Sequence, residues 1–159
     1  MRAGALPDDD RLTPAERGTT PYGAPIGPPT VAAPVLVIDD EPSGADATMA
    51  LLVGGGYPTT TERDGDSVLR LVRAEVMRLV VAEPYIPCAE GRCVIAALKQ
   101  DRTRLPRLRV LAYSRHTTTQ DDDWALAAGS DAELHKRAPS GALLREVDRL
   151  DGASQVRPA

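Results

Sequence analysis

The sequence lacks several features that mark common protein classes. None of its 159 residues is Phe, and aromatic residues make up 3% of the chain. Its apolar runs, such as Pro34–Ile38 and Leu79–Ala82, fall far short of the roughly 20 residues that a transmembrane helix needs. The N-terminus, MRAGALPDDD, has no apolar stretch before its three carboxylates, which argues against a secretory signal peptide. We therefore expect a cytoplasmic protein with no membrane-spanning segment.

The sequence also lacks an excess of basic residues, and it has few cysteines. The formal net charge is −4, with 19 basic against 23 acidic residues. We expect no direct nucleic-acid binding, because such binding depends on neutralising phosphates. The two cysteines, Cys88 and Cys93, are too few for a four-ligand zinc site. We interpret them as reduced thiols, with a redox pair as the alternative.

The composition changes along the chain. Half of the 14 prolines lie within the first 34 residues, and this region has no apolar periodicity. Such a segment buries too little surface to offset the entropy of ordering. We therefore predict a disordered, proline-rich leader at residues 1–33, a folded domain at 34–151 and a disordered tail at 152–159.

Short apolar runs alternate with helical patterns in the folded region. Val35–Ile38 and Leu79–Ala82 are continuously apolar, which is typical of strands buried on both faces. Further strands are predicted at 57–62, 108–113 and Ala132–His135. Each strand is followed by a helical pattern, and the fourth helix has Trp124 on its predicted core face. Short connections without hairpin signals predict an α/β fold, a doubly wound (βα)5 sandwich around a parallel five-stranded sheet.

Polar residues follow four of the predicted strands. They are Asp39 and Asp40 after the first, Glu83 after the third, Ser114 after the fourth and Lys136 after the fifth. In such sheets, ligands bind at the carboxyl ends of the strands. Carboxylates suit Mg²⁺, and two carboxylates about 4 Å apart repel by roughly 4 kcal/mol at an effective dielectric near 20. A cation, a proton or Lys136 must compensate this repulsion, unless the acidic residues form only a solvated rim.

These residues occur in an ordered set that resembles a known family. The set comprises VLVIDDEP at 35–42, LVVAEPYIP at 79–87, then Ser114 and Lys136. Together they resemble the receiver domain of bacterial two-component response regulators, over residues 34–151. The resemblance implies a flavodoxin-like fold and a phosphoryl group transferred from a histidine kinase to an aspartate.

The resemblance also assigns roles to individual positions. It implies a Mg²⁺ site made by Asp39, Asp40, Glu83 and the backbone carbonyl of Tyr85. Position 83 is the phosphoacceptor position. Ser114 and Lys136 match the residues that contact the phosphoryl group. The resemblance implies that Ser114 makes this contact when the domain switches.

Three positions depart from the family pattern. The phosphoacceptor position holds Glu83 instead of Asp, and no Asp lies between Asp66 and Asp101 to replace it. Arg137 follows the lysine where the family usually has Pro. The aromatic switch position holds Glu133. These departures predict impaired phosphorylation.

The leading hypothesis is an atypical, stand-alone receiver domain, because only 151–159 follow the last predicted helix. It is not expected to be an enzyme, and it would act by contact with a histidine kinase, a downstream signalling protein or a second copy of itself. One alternative is a phosphorylation-independent pseudo-receiver that serves as an adaptor. Another is a Mg²⁺-dependent phosphohydrolase, although the Asp39–Asp40 pair lacks the D-x-D spacing of aspartate-nucleophile phosphatases.

Overall fold

The computed structural model describes residues 32–74, 76–89, 93–115 and 119–155. Most of the predicted leader, at 1–31, and the end of the predicted tail, at 156–159, lie outside the described residues. No helix in the described part has the length and apolar character to cross a membrane. The strands and helices alternate: β1 Val35–Ile38, α1 Pro42–Gly54, β2 Thr59–Glu62, α2 Gly65–Arg73, β3 Leu79–Ala82, α3 Val94–Asp101, β4 Arg109–Ser114, α4 Thr119–Ala128, β5 Ala132–His135 and α5 Ser140–Gln155.

The five strands form one parallel sheet in the order β2-β1-β3-β4-β5. This arrangement confirms the predicted doubly wound (βα)5 fold. The strand order reverses at β1 and β3, which are neighbours paired from Val35 opposite Leu79 to Ile38 opposite Ala82. The residues that follow these two strands are therefore side by side at the topological switch point, where ligands bind in open α/β sheets.

The core lies in two apolar layers, one on each face of the sheet. Within β1, Leu36 and Ile38 belong to one layer, and Val35 and Val37 belong to the other. This alternation follows from the two-residue period of a strand. Helices α2, α3 and α4 supply the first layer, while α1 and α5 supply the second. Burial on both faces explains why β1 and β3 are continuously apolar.

Two strands differ in their bounds from the sequence prediction. β2 begins at Thr59 rather than 57, because the Tyr57 N–H donates to Leu52 O at the end of α1 (3.0 Å) and Pro58 has no N–H to donate. β4 begins at Arg109 rather than 108, because the Leu108 N–H donates to Leu105 O in a turn (3.0 Å). Local turn bonds therefore shift both starts by one or two residues.

The described domain also extends slightly past its predicted ends. Ala33 is buried and Ala32 packs against the second apolar layer, although the composition predicts that both belong to the leader. At the other end, α5 continues to Gln155 rather than ending at 151. The sequence has no proline between 140 and 155, so no residue there forces the helix to stop.

Candidate functional site

Asp39 lies at the carboxyl end of β1 and is almost completely buried, with 2% of its surface exposed. Its Oδ1 accepts a hydrogen bond from the Glu41 N–H (2.9 Å). Its Oδ2 accepts a hydrogen bond from Lys136 Nζ. Asp39 thus uses one oxygen to shape the turn into α1 and the other to bind a cationic side chain.

Glu83 lies beside Asp39, directly after β3. Its backbone N–H donates to Ile38 O (3.0 Å), which continues the β1–β3 pairing by one residue. Glu83 is 5% exposed. Two adjacent buried carboxylates need compensation, because an unpaired charge is costly in a medium of low dielectric constant.

Lys136 supplies this compensation from β5. Its backbone N–H donates to Ser114 O (2.8 Å), which holds it at the edge of the sheet. Its Nζ pairs with Asp39 Oδ2 and lies 3.2 Å from Glu83 Oε2. The same ammonium group is 5.7 Å from the centre of the Tyr113 ring, a distance that permits a cation–π contact. Of the alternatives that the sequence leaves open, Lys136 is the group that bridges the two carboxylates.

Gly44, in the first turn of α1, provides space for this bridge. A Cβ atom at this position would lie 2.5 Å from Asp39 Oδ2 and 3.2 Å from Lys136 Nζ. Sequence reasoning missed Gly44. The signal that could have revealed it is a glycine inside a helix, where its entropy cost needs a compensating reason.

Asp40 does not join the buried carboxylates. Its side chain is 66% exposed, and its Oδ1 lies 3.3 Å from Arg115 Nη2. Arg115 also pairs with Glu41 through Nη1. Sequence reasoning missed Arg115 and its pairing with Glu41, because the two residues are 74 positions apart.

Two other predicted site residues lie at the same edge of the sheet. Ser114 ends β4 and is buried. Tyr85 is 43% exposed, and its ring stacks on Trp124 with 4.6 Å between centroids. Trp124 is partly buried and packs against the first apolar layer as well as against Tyr85.

Comparison with known proteins identifies the family. The sequence model of the protein family described as the response regulator receiver domain matches residues 35–148 of this chain. This chain belongs to the receiver domain family. It is therefore a receiver domain of the two-component response regulators, which the sequence motifs also predict. The match favours the signalling hypotheses over the phosphohydrolase.

Relatives are bacterial transcriptional regulators. The chain is 31% identical over 118 residues to the transcriptional activator protein ExaE of Pseudomonas putida, covering 73% of this chain and 54% of that protein. It is 28% identical over 113 residues to the transcriptional regulatory protein DltR of Streptococcus agalactiae, covering 71% of this chain and 49% of that protein. The chain thus spans about half the length of these relatives.

Solved structures share the fold. The receiver domain of the Francisella response regulator 1452 has a TM-score of 0.65 and 26% identity, covering 77% of this chain and 99% of that one. NtrX from Brucella abortus, in complex with ADP, has a TM-score of 0.68 and 26% identity, covering 78% of this chain and 28% of that one. Receiver domains of response regulators are generally signalling domains rather than enzymes, and they interact with histidine kinases and other proteins.

Receiver domains typically bind Mg²⁺ at the phosphorylation site, but the residues of this chain do not fit a metal as they are arranged. Among the described residues, no group of three His, Cys, Asp or Glu side chains could hold a metal ion. Asp39 and Glu83 share Lys136, whereas Asp40 pairs with Arg115. Protein cations thus neutralise the carboxylates that a Mg²⁺ ion would bind.

Proposed function

We propose that this chain is a receiver domain with impaired phosphorylation that acts by binding a protein partner. The observation that supports this proposal is the ion pair between Glu83 and Lys136, with Nζ 3.2 Å from Oε2. In the family, the matching lysine contacts the phosphoryl group. Here it already contacts a carboxylate at the phosphoacceptor position, without any phosphoryl donor.

The length of the Glu83 side chain gives this pair a physical meaning. One added methylene moves a carboxylate outward by about 1.3 Å relative to Asp. The Glu83 oxygens therefore reach part of the way to where a phosphoryl group on Asp would lie. The resemblance is incomplete, because a carboxylate has one charge and two oxygens, whereas a phosphoryl group has nearly two charges and three oxygens. We expect a partly switched conformation that a kinase does not control.

The same features oppose phosphorylation of Glu83. The carboxylate is buried and Lys136 lies against it. Phosphoryl transfer depends on the positioning of the attacking group. A carboxylate that is displaced from its usual position therefore reacts much more slowly. Ser114, proposed as a phosphoryl contact, would then have only the Glu83 carboxylate to recognise.

The partner proposed is a histidine kinase or a downstream signalling protein. A phosphorylation-independent adaptor is the second candidate function, and the departures from the family pattern at Glu83, Glu133 and Arg137 favour it. In that case the domain would keep one conformation. Glu83 would then stabilise the site through its ion pair with Lys136 rather than imitate a phosphoryl group.

The proposal can be tested by mass measurement of the intact protein. Wild type, Glu83→Asp and Glu83→Gln are incubated with acetyl phosphate and Mg²⁺. We expect a phosphoryl mass increment in Glu83→Asp alone, since this variant restores the acceptor at its usual length. Glu83→Gln is the matched control, because its amide cannot accept the group.

Two outcomes would change the conclusion. Rapid modification of the wild type that disappears in Glu83→Gln would contradict impaired phosphorylation. An unmodified Glu83→Asp variant would show that Glu83 is not the cause of the impairment, which would favour the adaptor.

A further inference from the structure

A cavity of about 520 Å³ opens at the amino ends of the strands, on the opposite edge of the sheet from Glu83 and Lys136. We call it the basic cavity. It is formed by the residues that precede β1, β3 and β4, together with the end of α2. Its lining combines apolar side chains with three arginines.

The inner surface of the basic cavity is apolar. Val72, Met77 and Leu108 line it and are themselves buried in the protein. Val76 also lines it, although 56% of this residue is exposed to solvent. Burial of such exposed apolar surface by a ligand is favourable, at about 25 cal/mol per Å².

The basic cavity also carries a concentration of positive charge. Three arginines, Arg78, Arg104 and Arg107, line it, in a chain whose net charge is −4. Asp101 pairs with Arg73 (2.9 Å). Neither Arg78 nor Arg104 makes an ion pair within the part of the chain that the structure describes. A guanidinium group is planar and presents paired donors that match phosphate and carboxylate oxygens.

We propose that the basic cavity binds a small organic phosphate with an aromatic or aliphatic body, such as a mononucleotide. The arginines would bind the phosphate, and the apolar lining would bind the body. A volume of about 520 Å³ lies within the range of small-molecule sites, roughly 300 to 1,000 Å³. A concave site of this size suits a small molecule better than a nucleic-acid strand, which the net charge of −4 also disfavours. The proposal does not depend on the state of Glu83.

Titration of the full chain with adenosine monophosphate tests this site, with binding followed by NMR of backbone amides. We expect saturable shifts at Met77, Leu105 and Leu108. Arg78→Gln and Arg104→Gln should each weaken binding about tenfold, the usual effect of one charge-assisted hydrogen bond. Arg63→Gln is the matched control, because Arg63 is exposed and lies outside the cavity lining, and it should bind as the wild type does.

A parallel titration with 8-anilinonaphthalene-1-sulfonate, an aromatic anion that fluoresces on binding, separates the two parts of the proposal. Competition between this probe and adenosine monophosphate would support a shared site. Failure of both probes to bind at millimolar concentration would overturn the proposal. Equal weakening in Arg63→Gln would overturn it in favour of general charge attraction. Binding of inorganic phosphate as tight as that of the nucleotide would overturn the role of the apolar lining.

Discussion

At the scale of single residues, Lys136 connects more of the site than any other side chain described above. Its ammonium group pairs with Asp39 and Glu83, which follow β1 and β3. It also faces the ring of Tyr113 in β4. Lys136 offsets much of the cost of burying these two carboxylates, since an uncompensated buried charge is strongly destabilising.

Substitution of Lys136 tests this role. We expect Lys136→Met to lower the free energy of unfolding by about 3 kcal/mol, because it leaves two buried carboxylates without their cation. Urea unfolding of the purified protein measures the change. Lys99→Met is the control, since Lys99 is the only other lysine in the sequence and its Nζ makes an exposed bond to Ala127 O (3.3 Å). Equal losses in the two variants would contradict a special role for Lys136.

The environment of the Tyr57 hydroxyl predicts that the domain loses stability at high pH. Burial raises the pKa of its hydroxyl, and the hydrogen bond that it donates to Asp148 raises this pKa further. A group whose pKa is higher in the folded state contributes stability that is complete below its unfolded pKa, near 10, and is lost as the pH rises toward the folded value.

We expect the wild type to lose stability steadily above about pH 10, and Tyr57→Phe to lose less over the same range. Thermal midpoints measured between pH 8 and pH 11 give the comparison. Tyr113→Phe is a useful second variant, because burial also raises the pKa of Tyr113 while Lys136 opposes that effect. Identical pH dependence in wild type and Tyr57→Phe would exclude the Tyr57 contribution.

At the scale of helices and strands, local signals predict most positions correctly. The bounds of β1, β3 and β5 match the sequence prediction. In β1 and β3, apolar runs that contain β-branched residues end directly before a carboxylate. The α2 helix begins after Asp64, whose carboxylate accepts a hydrogen bond from the Ser67 N–H (2.8 Å). Asp66 and Ser67, two further residues of types that favour N-caps, lie within the helix. Three capping residues lie within four positions, so composition alone does not choose among them.

The hydrogen bonds of Asp64 predict that acid destabilises the start of α2. Hydrogen bonds from the Ser67 backbone N–H and then from its hydroxyl hold the pKa of Asp64 below its usual value. Its contribution is therefore present above about pH 4 and is lost as the pH falls through the lower folded value.

We expect Asp64→Ala to have a lower thermal midpoint than the wild type at pH 7. Between pH 7 and pH 3, the midpoint of this variant should fall by less than that of the wild type. Asp64→Asn should retain most of the midpoint, because Asn also caps helices, but it should show the weaker acid dependence. Circular dichroism at pH 7 and pH 3 measures both quantities. Unchanged midpoints in Asp64→Ala would show that another residue caps α2.

At the scale of the whole domain, the two edges of the sheet differ in charge. Carboxylates gather at the carboxyl ends of the strands, where Lys136 and Arg115 pair with them. Arginines gather at the amino ends around the basic cavity. This separation predicts that cations bind at the carboxyl ends of the strands and that anions bind at the amino ends.

Magnesium ions test the carboxyl edge. A ligand that binds only the folded state stabilises it by about 2.7 kcal/mol at a hundredfold excess over its dissociation constant. We expect 10 mM Mg²⁺ to leave the thermal midpoint of the wild type nearly unchanged, because Lys136 already neutralises Asp39 and Glu83. Lys136→Met should gain a Mg²⁺-dependent increase, which Asp40→Ala in the same background should reduce. A clear increase in the wild type would show that Mg²⁺ displaces Lys136.

The sequence by itself determined the order of strands and helices, the parallel sheet and the edge at which the polar residues gather. These properties follow from apolar periodicity and from the direction of parallel strands. Tertiary structure decided which charges pair. Lys136 is 97 residues from Asp39 and Arg115 is 75 residues from Asp40. No local pattern encodes such distances, because they depend on how β4 and β5 pack beside β3 and on the space that Gly44 leaves open.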